Sequence, residues 1–105
     1  MKSVMVFAGA IASILFCVAF IFQDDAAYRG REVYAMQKCA LCHSIAGIGG
    51  KKMPLDRVGS RLKSEEIRKW VKTPKAMKAD SIMKSYPNLL EKDLTDLTAF
   101  LMTLK

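Results

Sequence analysis

From Val4 to Phe22 the chain runs without a charged residue, Gly9 and Ser13 being its only weakly polar members, and it stops abruptly at Gln23, Asp24 and Asp25. Beyond that point apolar positions become periodic. A helix is expected to start at Asp24 or Asp25 and to carry Tyr28, Val33, Tyr34 and Met36. From Ser44 to Leu62 there is no helical period, and Gly47, Gly49, Gly50 and Gly59 mark a loop. A further helix is capped by Ser64, has Glu65 and Glu66 in its first turn, turns Ile67, Trp70 and Val71 inward, and ends at Thr73-Pro74. Met77 falls on one short helical turn, and Met83 in an extended stretch between Asp80-Ser81 and Tyr86-Pro87. Asn88 with Glu91 has the spacing of a capping box for a last helix, along which Leu90, Leu94, Leu97, Leu101 and Leu104 form one apolar face. No segment alternates with the period of a strand. The predicted fold is all-α, preceded by an N-terminal transmembrane helix.

At ~1.5 Å per residue the leading run reaches roughly 28 Å, close to the ~30 Å hydrocarbon thickness of a bilayer. Cleavable signals have shorter apolar cores of about 7 to 15 residues. Cutting after Ala26 or Ala27 would also put Asp24 or Asp25 where a small residue is wanted. A retained anchor over 1–23 is therefore favoured over a cleaved signal, leaving a domain over 24–105. Lys2 before the span and acids after it orient the domain outward, on the periplasmic side of the cytoplasmic membrane. If the leader is cleaved, the domain is soluble and periplasmic. Cys17 lies within the run and reads as an apolar filler.

The whole chain is 105 residues with a formal net charge of +7 and three cysteines. That length excludes two-domain enzymes and repeat arrays, and the cysteine count excludes a disulfide-dense scaffold. An exported unit this small gains only marginal stability from its core, so a cofactor or cross-link is expected to help hold it.

Cys39, Ala40, Leu41, Cys42 and His43 supply the chemistry. This C-x-x-C-H spacing reads as attachment of a c-type haem, with two thiols adding to the vinyl groups and the next imidazole held where it can bind iron. A zinc site needs four ligands, and His43 is the only histidine in the chain. A thioredoxin-like dithiol calls for a βαβ pattern that is missing, and a plain disulfide leaves the small core unexplained.

With these residues in place, the stretch from Tyr28 to Lys105 resembles a small bacterial monohaem class I cytochrome c. The likeness is carried by Gly30 and Tyr34 before the attachment string, Pro54-Leu55 and Val58-Gly59-Ser60-Arg61 after it, Met83 ahead of Tyr86-Pro87-Asn88-Leu89, and the amphipathic end. The resemblance implies one covalent haem c, bound through Cys39 and Cys42, with His43 and a methionine sulfur as axial ligands. Met83 matches the family position, although Lys84 stands where a proline usually follows; Met77 and Met53 remain alternatives. Met36 and Met102 lie within helices and read as core filler. The resemblance also implies that the Pro54 carbonyl accepts the N–H of the His43 ring, and that Gly30 admits Phe100 at a close helix crossing. Trp70 either lines the haem pocket, bonding a propionate, or packs in the core.

With both axial positions filled by protein, the expected function is electron transfer rather than catalysis: a tethered carrier passing single electrons between respiratory complexes. The alternatives are a cytochrome subunit fixed in a larger membrane oxidoreductase, or a haem enzyme or sensor with an open sixth site. All the basic residues but Lys2 follow the leader, so redox partners with acidic docking surfaces are expected, and nucleic acid is not. Lys38, Lys51, Lys52 and Lys84, close in sequence to the site, are candidates for a steering rim.

Overall fold

The structure, a computed structural model, describes residues 25–105. The expected membrane segment, the first N-cap at Asp24 and the boundary at residue 23 lie outside the described residues. Among the described residues no helix is long and apolar enough to cross a membrane.

Helix α1 occupies residues 25–36. A 3₁₀ turn follows at Cys39–Leu41, then strands β1 (His43–Ile45), β2 (Ile48–Gly49) and β3 (Met53–Pro54), and helices α2 (Val58–Arg61), α3 (Ser64–Lys72), α4 (Pro74–Met77) and α5 (Glu91–Met102). The chain is mostly helical, as its periodicity implies. The three strands depart from the expected all-α fold. They form a small sheet in the order β2-β1-β3, with β2 antiparallel to β1 and β3 parallel to it. Strands of two or three residues are too short to show a period, and here backbone pairing alone defines them.

The core is made where α1, α3 and α5 meet: Val33 and Tyr34 from α1, Ile67 and Val71 from α3, and Leu94, Leu97, Phe100 and Leu101 from α5, with Leu55 and Val58 closing one side. Ile67 and Val71 are four residues apart and share one face of α3. Trp70 is only half-buried. Ser64 is the first helical residue rather than the cap. Lys63 precedes it, and Glu66 reaches back to accept the Lys63 N–H at 3.0 Å, satisfying a donor that the helix start leaves free.

The start of α5 also differs from expectation. The turn from Tyr86 to Leu89 takes up Asn88, so the helix begins at Glu91 with Leu90 as an N-cap lacking any side-chain bond. Glu91 pairs instead with Arg68 across the α3–α5 contact. Leu90 is 69% exposed and leaves the apolar face, whereas Leu94, Leu97 and Leu101 are buried. Leu104 lies past the helix end, half-buried, and its carbonyl accepts the Gly59 N–H at 2.8 Å.

Gly30 shows why α1 and α5 cross so closely. A Cβ there would stand 1.8 Å from the Asp96 carbonyl oxygen and 2.7 Å from the Phe100 Cβ. The crossing expected from Gly30 and Phe100 is present, with the Asp96 backbone the tighter contact. Beside it the Asp96 side chain, in a residue only 3% exposed, accepts from Arg29 Nε at 3.0 Å, Arg29 Nη2 at 3.2 Å and Lys92 Nζ at 3.2 Å. A forked guanidinium on a buried carboxylate is the geometry that compensates for desolvating the charge.

Candidate functional site

Where α1 ends, Lys38 adopts a left-handed conformation, φ 58° and ψ 36°. That turn directs the chain into the tight coil holding Cys39, which is half-buried against the core, and Cys42, which is exposed. Burial pushes the Cys39 thiol up, and the nearby Cys42 sulfur adds to the rise. The Cys39 thiol is therefore a neutral nucleophile precursor at neutral pH.

His43 follows at once as the first residue of β1, the central strand. Its ring Nδ1 lies 3.1 Å from the Met53 carbonyl oxygen. A carbonyl can only accept, so Nδ1 carries the proton and Nε2 presents its lone pair to the other side. The acceptor is thus Met53 rather than Pro54. The parallel register explains the change, because it sets His43 opposite Met53 and Ser44 opposite Pro54. Pro54 itself is exposed, next to Leu55, whose N–H bonds to the Ser44 carbonyl at 2.8 Å.

The glycine-rich segment is laid against the backbone of the attachment string. Gly50 N–H bonds to the carbonyls of Ala40 at 2.8 Å and His43 at 3.1 Å, and Lys52 N–H to that of Cys42 at 3.0 Å. Gly49 has φ 119°, and a Cβ there would lie 2.2 Å from the His43 carbonyl oxygen. At this position only glycine combines the backbone angle with the space.

Met83 lies between α4 and α5, outside any regular element as expected, half-buried, with its N–H donating to Ser81 Oγ at 3.2 Å. Met77, at the end of α4, is also half-buried. Met53 is 49% exposed, and its backbone lies on the Nδ1 side of the His43 ring.

The residues present fit a covalent haem. The donor set is two thiols and an oriented imidazole, and exposed Leu41, Ile48 and Ile82 sit within or beside the attachment string and next to Met83, surface that an apolar macrocycle would cover. Tyr34, only 9% exposed and packed with Cys39, has a buried hydroxyl with no hydrogen-bond partner. Such an orphan is costly in a finished core and marks a place where a further group belongs. Half-buried Trp70 is compatible with either of its expected roles.

Three contributors escaped the sequence reading. The Met53 carbonyl is a backbone group with no side-chain signature. Tyr34 was noted only as part of a pattern, though a tyrosine at a core position already asks for a partner. Tyr86 bounds the Met83 stretch in the sequence, and its hydroxyl donates to the Gln37 carbonyl at 3.0 Å. Lys38, Lys51, Lys52 and Lys84 are exposed and, among the described residues, have no ion-pair partner.

Comparison with known proteins agrees with this geometry. The family model described as Cytochrome c matches residues 27–105. The cytochrome c oxidase subunit 2 of Alkalihalophilus pseudofirmus is 30% identical over 91 residues, a match covering 78% of this chain and 27% of that relative. The chain therefore spans about a quarter of the length of the curated relative it matches. With an attachment string, an oriented histidine and a family match running from α1 to the last residue, the chain belongs to the cytochrome c family, whose function is electron transfer by covalently attached haem c.

Proposed function

We propose that residues 24–105 form a single-haem electron carrier, with Cys39 and Cys42 forming the thioethers and His43 and Met83 the axial ligands. Residues 1–23 tether it to the outer face of the cytoplasmic membrane, and it passes single electrons between respiratory complexes. The observation that carries this reading is the His43 ring, whose Nδ1 donates to the Met53 carbonyl and so leaves Nε2 free as a ligand. Haem, when bound, supplies the one-electron couple.

The chain's own residues do the rest. The Met53 carbonyl fixes the imidazole plane and strengthens its basicity, as outer partners of ligating histidines do. Because the Met53 backbone meets that ring on the side away from Nε2, its sulfur is poorly placed to be the second ligand, which supports Met83. A thioether at that position favours the reduced state and leaves no open site for substrate. The unpaired lysines near the site attract acidic partners and raise encounter rates at low salt.

Intact mass and absorbance of protein extracted from membranes of a haem-ligating host test this. The expected result is the uncleaved chain plus one haem, and a low-spin ferric spectrum whose weak sulfur-to-iron band is lost in Met83→Ala but kept in Met77→Ala and Met53→Ala. A bare-chain mass, or a high-spin spectrum with peroxidase turnover in the unmutated protein, overturns it.

A second reading, a subunit fixed in a larger oxidoreductase, is favoured by the oxidase-subunit relative. Copurification of a defined complex from detergent-extracted membranes would select it over a free carrier.

A further inference from the structure

Between α4 and α5 the chain runs through residues 78–90 without a helix or strand, and Met83 lies in the middle of it. Most of its hydrogen bonds are local: Ser81 N–H to the Lys78 carbonyl, Met83 N–H to Ser81 Oγ, and Leu89 N–H to the Tyr86 carbonyl. Such bonds shape a loop without holding it in place. Among the described residues, the hydrogen bonds that tie residues 79–89 to other elements are both made by Tyr86. Its N–H donates to the Val71 carbonyl in α3 at 2.9 Å, and its hydroxyl to the Gln37 carbonyl at 3.0 Å.

The second bond joins distant parts of the site. Gln37 lies just past α1, where terminal carbonyls have no intrahelical donor, and two residues before Cys39. The ring between the two anchors packs against the core, and Lys84 Nζ stands 5.2 Å from its centroid. Tyr86 is three residues from Met83, so the Cα atoms of the two can be no more than about 11 Å apart.

We propose that Tyr86 is a positioning residue for the second axial ligand: its hydroxyl straps the loop carrying Met83 to the end of α1, beside the attached cysteines, and holds the sulfur on the iron. The inference rests on the assignment of Met83 as ligand. Displacement of the Met83 sulfur would be eased by movement of its loop, and the Tyr86 hydroxyl bond to the Gln37 carbonyl opposes that movement. Without the hydroxyl the ring still packs and the bond to Val71 still forms, so the fold persists while the ligand exchanges more freely.

Tyr86→Phe removes the hydroxyl alone, and the measurement is imidazole titration of the ferric, haem-loaded protein, which reads how readily the sulfur is displaced. The expected result is imidazole affinity raised about fivefold, the weight of one ordinary hydrogen bond, with the sulfur-to-iron band lost on heating before the helices melt. Thr98→Val serves as the control. It removes a buried hydroxyl bond to the Leu94 carbonyl within α5 and should lower the melting temperature while leaving imidazole affinity unchanged. Unchanged affinity in Tyr86→Phe, or an equal rise in Thr98→Val, overturns the proposal. Should Met83→Ala keep the sulfur band, the ligand assignment falls and the inference with it. Should that variant lose the band while Tyr86→Phe binds imidazole like the unmutated protein, the strap alone is refuted.

Discussion

Replacing Gly30 by alanine sets two opposite tendencies against each other, and the geometry decides between them. In a solvated helix interior the change gains roughly 0.5 to 1 kcal/mol, because glycine surrenders more backbone freedom on folding. Here the added methyl carbon would be 1.8 Å from the Asp96 carbonyl oxygen, against a shortest tolerable approach of 3.0 Å. The obstacle is helix backbone and cannot rotate away, so α1 and α5 must separate by roughly 1.2 Å at the crossing, a large shift for a close-packed interface. Overpacking of this kind costs about 1 to 3 kcal/mol. The same separation loosens the edge-to-face pair of Tyr34 and Phe100, whose centroids are 5.7 Å apart, worth about 0.5 to 1.5 kcal/mol beyond its buried area. The net expectation is destabilisation by about 2 to 3 kcal/mol, a drop of roughly 8 to 24 °C in melting temperature for a domain of this size. Thermal unfolding of the haem-loaded protein, followed by far-UV circular dichroism, measures it. A Gly30→Ala variant as stable as the parent, or more so, would refute the close crossing.

Other consequences are separately measurable. The Asp96 carboxyl is held below its ordinary range by the hydrogen bonds from Arg29, against the opposing effect of burial, with Lys92 helping. Its folded-state pKa lies below the unfolded value, so the stability it confers is complete above that unfolded value and is lost as pH falls through the folded one. Asp96→Asn should therefore be less stable at neutral pH and converge on the parent in acid; denaturant curves that stay parallel from pH 7 down to pH 2 would contradict this. Lys38→Gly relieves a left-handed lysine and should stabilise the protein by up to about 1 kcal/mol, visible as a higher denaturation midpoint with an unchanged slope.

How far the sequence revealed this molecule depends on where the information resides. Side-chain periodicity exposed α1, α3 and most of α5, and the attachment string exposed itself, because covalent chemistry requires those residues at that spacing. Gly30 and Phe100 were recognisable as partners through their likeness to a family, and the carbonyl of Asp96 that lies between them was not. The β1–β3 pairing is legible in no side chain. It moved the histidine's hydrogen bond from Pro54 to Met53 by one position of register. Asn88 looked like a cap because it stood three residues before a glutamate, but tertiary demand won: Glu91 pairs with Arg68, and the helix starts later. The buried Asp96 was hidden for a related reason. A carboxylate among leucines looks like a solvent-facing position until Arg29, 67 residues away, is seen to reach it.

The short β-ribbon divides the labour of this small domain. The three long helices determine how well it survives heat and acid. The ring of His43, by contrast, takes its bearing from one peptide group in a two-residue strand. Under the proposed ligation, an engineer wishing to retune the redox midpoint could work on the exposed side chain of Met53, whose carbonyl orients His43, apart from the helical core. One wishing for a hardier protein could redesign the α1–α5 seam at little cost to the electronics.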